Sequence, residues 1–389
     1  MIARLEDPRT TTGHEIRSGE KLRVLHLVPT FTGGGAERQL AYLARELAEL
    51  GLDIHVGYLR DGPNLKLLEG TSVTLHRLPV SGSHDLRLPW LLRRLLRDVK
   101  PHVVQTWLPQ MDVLGGLLAR LAAIAWVLSE RSASAAYLSG WKIRARKIIG
   151  RRATAIVANS SEGLEYWRDA SSSTIRRTIR NIVPLEAIAD SAFAPQERFE
   201  RLPAGARLIV AAGRLQAEKN WEVFIDALNI ALGTLPDVHA VIFGDGTLRH
   251  SLQERIARSP FANRIRLNGY TDDLWKWLNL ASCYVSVSHF EGSPNVVLEA
   301  LACQLPIVVS DIPAHRELLS ESSAEFVSPH SAEAVASAVI KVFNDDETMT
   351  RRAHDSLRVV RQWSGGAIAS AYVDLYLEIS RQSKRPRTE

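Results

Sequence analysis

From Leu22 onward the apolar positions alternate between two periods. Short β-branched or aliphatic runs at 22–28, 53–59, 72–78, 102–106, 125–128 and 154–158 read as buried strands. Between the first two, residues 36–50 place Leu40, Leu43, Leu47 and Leu50 on one helical face, and a further helix starts near Met111. Strands that alternate with helices predict a doubly wound α/β domain, and the near-continuous apolar run at 22–28 suits a parallel sheet covered on both faces. Residues 184–206, with Pro184, Pro195 and Pro203 and no period, read as a linker. The alternation then restarts with strands at 208–212, 238–243, 265–267, 283–287 and 307–310, and helices at 331–344 and about 367–380 close the chain. The expected division is a polar tail at 1–20, α/β domains at 21–190 and 191–365, and a last helix with a basic tail at 366–389. Strands of the second half end in small or polar loops, at Gly213, at Gly244-Asp245-Gly246, at Gly269-Tyr270 and at Asp311. Open parallel sheets bind their ligands at that edge.

Composition adds little to the fold and something to the setting. The 389 residues are 46% hydrophobic and 23% charged, which allows two well-filled cores. The two cysteines, Cys283 and Cys303, sit in apolar runs and read as buried thiols in a reducing cytoplasm. No signal peptide is visible in the polar first twenty residues, and the apolar run at 113–128 carries Arg120 and two glycines. That run falls short of the about 20 residues a spanning helix needs. Charge is uneven: residues 1–200 carry 28 Lys and Arg against 21 Asp and Glu. The excess concentrates at 87–152, where Leu88–Arg97 and Trp141–Ile149 each combine aliphatic positions, a Trp and cations such as Arg93 and Arg146. Helices of that kind suit the interface of an anionic membrane, and equally suit packing on a sheet with their cations solvated.

The most informative stretch is His289-Phe290-Glu291-Gly292-Ser293-Pro294-Asn295-Val296-Val297-Leu298-Glu299-Ala300. It follows a strand and opens a helix, with Ser293 expected at the N-cap and Pro294 at the first helical position. The helix end offers free N–H groups to an anion. Glu291 at the lip of the turn and Glu299 one turn in can both reach a ligand held there, and carboxylates beside an anion site suit hydroxyls. A second strand-end loop, Gly213-Arg214-Leu215-Gln216-Ala217-Glu218-Lys219-Asn220, carries two cations that suit phosphate oxygens. A third, Thr32-Gly33-Gly34-Gly35-Ala36-Glu37-Arg38, brings backbone N–H groups close to a ligand without the spacing of a dinucleotide fingerprint.

Together these stretches resemble the retaining glycosyltransferases of family 4, which have the GT-B architecture of two Rossmann-like domains facing across a cleft. The resemblance covers most of 22–380 and is best matched at 205–318. It implies that Glu291, the first Glu of an E-x7-E motif, lies against the donor sugar and that Glu299 binds the donor ribose. It implies that Arg214 and Lys219 hold the donor diphosphate, that Gly34 and Gly35 face the donor across the cleft, and that Gly269-Tyr270 borders the base. Gly292, Ser293, Pro294, Asn295 and Val296 then form the donor-binding turn. Many members place a His in the loop near the reacting sugar; here the matching positions are Trp107 and Gln110, on the acceptor or sugar side, and Asp112 reads as a helix cap.

The implied activity is metal-independent, retaining transfer of a hexose or N-acetylhexosamine from a nucleotide diphospho-sugar, most simply UDP-linked, to a glycan or lipid-linked acceptor at the cytoplasmic face of a membrane. No cofactor is expected, no D-x-D motif or paired histidines suggest a metal site, and no nucleic-acid partner is expected. Two other readings stay open: a nucleotide-sugar epimerase on the same architecture, and a donor-binding protein without turnover.

Overall fold

The computed structural model describes residues 15–17, 20–32, 34–80, 85–131, 140–191, 202–203 and 205–382. Two short antiparallel strands, β1 (Glu15–Arg17) and β2 (Glu20–Lys21), precede the first domain. That domain runs β3 (Arg23–Thr30), α1 (Gly35–Glu49), β4 (Asp53–Arg60), β5 (Thr74–Arg77), α2 (Leu88–Val99), β6 (Val103–Trp107), α3 (Leu108–Leu121), β7 (Ala125–Glu130), α4 (Trp141–Gly150), β8 (Ala155–Ala158), α5 (Ser161–Glu165), β9 (Ile175–Thr178) and α6 (Leu185–Ser191). Its seven strands pair in parallel in the order β5-β4-β3-β6-β7-β8-β9.

The second domain runs β10 (Arg207–Ala212), α7 (Trp221–Thr234), β11 (Val238–Phe243), α8 (Arg249–Ala257), β12 (Ile265–Gly269), α9 (Leu274–Leu280), β13 (Cys283–Ser286), α10 (Asn295–Ala302), β14 (Ile307–Ser310), α11 (Pro313–Arg316), β15 (Glu325–Val327) and α12 (Ala332–Asn344). Its six strands are also parallel, in the order β12-β11-β10-β13-β14-β15. Both sheets reverse winding direction beside their first strand, β3 and β10. That is the switch point where a ligand crevice forms. The chain is a two-domain α/β protein of GT-B architecture.

Helices α13 (Asp346–Arg361) and α14 (Gly365–Gln382) finish the chain. Helix α14 packs on α1 of the first domain. The Tyr376 hydroxyl donates to the Gln105 amide oxygen, and Arg177 Nη2 lies 2.6 Å from Glu378 Oε2. One apolar cluster accordingly runs from Val24 in the first sheet through Tyr372 and Tyr376 to Leu298 and Leu301 of α10.

The expected loose tail at 1–20 instead carries β1 and the start of β2, which pair with each other. Other elements also differ from the sequence expectation, among them four with a clear physical reason. Strands β9 and β15 lie at sheet edges; β9 is mostly exposed and β15 has three residues, so neither shows a buried apolar run. Helix α13 is mostly polar and turns only a few apolar positions toward the core, Leu357, Val359 and Val360, all near its end, too few to show a helical period. Helix α6 lies within the expected linker and buries Ile188.

Candidate active site

Strands β10 and β13 are neighbours, so their following loops lie side by side at the carboxyl edge of the second sheet. The loops are tied together by backbone and by Asn220. The His289 N–H donates to the Glu218 carbonyl at 2.8 Å, and Asn220 Nδ2 donates to the carbonyls of Val287 (3.1 Å) and Pro329 (2.6 Å). Asn220 holds a left-handed conformation, φ 56°, which Asn tolerates better than most side chains. This tie brings Lys219 and Glu291 into an ion pair although 72 residues separate them. Ser288 Oγ also donates to Glu291 Oε1, at 2.7 Å.

Arg214 stands on the same loop but points elsewhere. Its guanidinium pairs with Glu218 at 2.9 Å and is 69% exposed, so it joins a site only by turning inward. The loop after β11 presses on this one. A Cβ at Gly244, φ 144°, would fall 1.9 Å from the Gly213 carbonyl oxygen, so only glycine fits there.

Helix α10 begins at Asn295, not at Pro294. Pro294 takes the capping position in a non-helical conformation, with no side-chain cap bond, and the Ser293 carbonyl accepts from the Asn295 N–H at 3.0 Å. The expected Ser293 N-cap is therefore replaced by a proline turn. Gly292 precedes this turn and Val296 lies half-buried in the helix's first turn. The helix still presents its amino end to the cleft, and its first N–H groups lack partners within the helix.

Across the cleft stands α1. Gly34 is extended at its start, and a Cβ on Gly35 would lie 3.1 Å from Asn295 Nδ2. The two helix starts thus face each other at the distance of direct contact; Gly33 lies outside the described residues. Arg38 Nη2 reaches Glu299 Oε1 at 2.6 Å, and Trp275 Nε1 donates to Glu299 Oε2 at 3.0 Å. Glu299 is buried, and these two donors satisfy its oxygens in place of water. Asn181 Nδ2 donates to Asn295 Oδ1 at 2.7 Å, and Arg180 Nη2 lies 2.6 Å from Glu317 Oε1. Tyr270 is exposed beside the cleft; partial burial and a hydrogen bond with Asp272 raise its hydroxyl pKa, and Arg38 and Glu299 act on it more weakly and in opposite directions.

The loop after β6 departs from expectation. Trp107 is 1% exposed, packed under the Arg131 guanidinium, which lies 4.6 Å above its ring; its Nε1 donates to His26 Nδ1 at 3.3 Å. Trp107 therefore fills core space and presents no edge to the cleft. Gln110 lies half-buried in the first turn of α3. Asp112 is no cap. It lies within α3, buried, accepting from Thr106 Oγ1 (2.6 Å) and Arg146 Nε (2.7 Å), and burial pushes its carboxyl up to about 6.

Sequence reasoning missed Arg38, Arg131, Trp275 and His315. Arg131 follows β7, hydrogen-bonds Asn181 Oδ1 at 3.0 Å, and occupies the space over Trp107. Its signal in the sequence was only a cation at a strand end. His315 is buried five residues after Ser310, with Nδ1 2.8 Å from the Ser310 carbonyl. Among the described residues no group of three or more His, Cys, Asp or Glu comes together as a metal cage.

Two family models match the chain: a "glycosyl transferase 4-like domain" over residues 34–181 and "glycosyl transferases group 1" over 206–345. The chain belongs to the family 4 glycosyltransferases of GT-B architecture. Among curated glycosyltransferases it is similar to the lipopolysaccharide core biosynthesis glycosyltransferase LpsE of Rhizobium meliloti, 26% identical over 88% of this chain and 95% of the relative. The lipopolysaccharide core biosynthesis mannosyltransferase LpsB of the same organism is 27% identical over 50% of this chain and 54% of its own length. The fold matches the Anabaena protein HepE, solved with UDP and glucose, at a TM-score of 0.79 and 18% identity, covering 91% of this chain and 99% of that one.

Proposed function

We propose that this glycosyltransferase moves a hexose or N-acetylhexosamine from a UDP-linked sugar to a lipid-linked or polysaccharide acceptor in cell-surface glycan synthesis, with retention and without a resident metal. The observation that carries this reading is the Lys219–Glu291 pair set beside the amino end of α10. A nucleotide diphospho-sugar presents an anion and hydroxyls within a few ångströms, and the site answers with a cation, a helix end and carboxylates. Lys219 and the α10 N–H groups suit the diphosphate, Glu299 the ribose, and Glu291 the sugar. UDP as nucleotide, and lipopolysaccharide or another surface glycan as product, rest on what HepE and the two Rhizobium proteins are described as binding or making.

As the sugar–oxygen bond to the diphosphate breaks, negative charge grows on the leaving oxygen. Lys219 and the helix end would then stabilise the transition state more than the ground state, which is what lowers a barrier. Both contacts to Glu291 converge on Oε1, leaving Oε2 to orient a sugar hydroxyl. The acceptor oxygen would approach from the face the diphosphate leaves, and its proton would pass to the departing phosphate oxygen.

A lipid-linked acceptor would bring the first domain to a membrane. Trp90 on α2 and Trp141 on α4 are 61% and 70% exposed, with Arg93, Arg94, Arg97 and Arg144 exposed on the same helices. The leucines of α2 (Leu88, Leu92, Leu95 and Leu96) are buried in the domain, so docking would rest on the two indoles and the cations. Arg146 is not part of that face: it is 1% exposed and paired with Asp112 and Glu130. Among the described residues no helix is long and apolar enough to cross a membrane.

The test is incubation with labelled nucleotide sugars. Transfer or slow hydrolysis supports the reading; an altered sugar points to epimerisation, and binding without turnover to a donor-binding protein.

A further inference from the structure

We infer that His315 is a positioning residue that fixes Glu291 from beneath, an inference that rests on the proposed role of Glu291 at the donor sugar. The β13–β14 ladder ends with Ser286 opposite Val309. Beyond that point the two strand ends are held by side chains. Ser310 Oγ donates to the Ser288 carbonyl at 2.6 Å, and Ser288 in turn donates its hydroxyl to Glu291 Oε1 at 2.7 Å. Lys219 closes the same oxygen from the other side.

His315 anchors the start of this chain. Its Nδ1 lies 2.8 Å from the Ser310 carbonyl and 3.3 Å from Ser310 Oγ. A carbonyl oxygen only accepts, and Ser310 Oγ already gives its proton to Ser288, so Nδ1 carries the ring proton. Nε2 is then the bare lone pair, buried and bonded by no side chain or backbone group among the described residues. A buried acceptor that no described residue bonds adds nothing to packing that an apolar side chain of the same volume would lack, so packing alone does not select histidine here. What selects it is a rigid ring whose Nδ1–H reaches both oxygens of Ser310. Burial also lowers the imidazole pKa and keeps it neutral, although the Ser310 carbonyl and Glu291 pull the other way and Lys219 adds to the lowering. A neutral ring sets the geometry of Glu291 without competing for its charge.

Three variants separate this role from bulk packing. Asn places an amide nitrogen where His has Nδ1, Gln places one where His has Nε2, and Leu keeps volume but offers no donor. With labelled UDP-sugar, His315→Leu and His315→Gln should lose roughly ten- to hundredfold in kcat, the scale of a slightly misplaced reacting group, while UDP binds as in the parent. His315→Asn should recover most of the rate. Equal rates in all three, equal losses in all three, or a parallel loss of UDP affinity would overturn the assignment. Crystal structures of the parent and of the Leu and Gln variants decide the matter independently of turnover. Glu291 displaced from Ser288 in both variants supports the role, and an unmoved Glu291 overturns it. A parent enzyme that turns over no nucleotide sugar would count against the proposed function, and the crystal structures would still judge His315.

Discussion

Arg38 Nη2 lies 2.6 Å from Glu299 Oε1, joining two domains through residues 261 positions apart. The carboxylate is nearly sealed from water, and its two oxygens bond Arg38 and the Trp275 indole instead. In the proposed function, a ribose hydroxyl approaching Glu299 meets an acceptor already oriented from both sides, and the binding cost of orienting it has been met in advance.

Glu299→Gln should therefore chiefly weaken nucleotide binding. Losing one charge-assisted hydrogen bond corresponds to about 1.5–3 kcal/mol. Calorimetric titration with UDP measures it, and an unchanged UDP affinity in the folded variant would remove Glu299 from the ribose. Arg38→Ala tests the pair across the cleft. In a double-mutant cycle with Glu299→Gln the two losses should fall short of additivity, because contacting residues couple.

Lys219→Ala should weaken UDP binding and turnover together, again by about 1.5–3 kcal/mol, since its charge acts on substrate and leaving group alike. Glu291→Gln should separate the two, slowing transfer while UDP binds nearly as before. If both variants lost UDP equally and kept the same turnover, the division between phosphate and sugar would be wrong.

These pairs explain what the sequence could carry and what it could not. The β10 and β13 loops were readable because each combines a buried strand, a turn and chemistry-bearing residues within a dozen positions. That Lys219 would touch Glu291 follows from the parallel pairing of β10 with β13, which a linear pattern does not state. Arg38 was visible only as one cation in a glycine-rich loop; its partner is fixed by how two domains meet. Trp107 marks the converse case. A strand-end position suggested a cleft residue, and the ring instead fills space beneath Arg131. Ser293 shows the limit of capping rules: the helix starts one residue later, Pro294 takes the capping position, and a proline side chain has no acceptor to offer.

The domain interface should respond to acid through Glu317. Partial burial raises its pKa, but hydrogen bonds from Arg180 and from the Ser161 hydroxyl and N–H outweigh that and hold it below the ordinary 4.5. A depressed folded value means the contribution is fully present above 4.5 and is lost as pH falls through the lower folded value. Thermal melts should show an acid limb that Glu317→Gln makes shallower. An identical limb in both proteins would place the acid sensitivity elsewhere.

Membrane docking through the first domain predicts sedimentation with anionic vesicles at low salt and release at high salt, because each surface cation contributes about 1 kcal/mol near anionic lipid. Arg93→Glu with Arg144→Glu, both at exposed positions, should abolish it without touching the buried Arg146 network. Absence of binding to anionic vesicles at low salt would point to a soluble acceptor.

The most direct measurement is the anomeric configuration of the product formed from an α-linked UDP-sugar, read by proton NMR during turnover. The account predicts an α product, with its rate cut by Glu291→Gln and Lys219→Ala. A β product, an epimerised nucleotide sugar, or tight UDP binding with no turnover of any nucleotide sugar would contradict it.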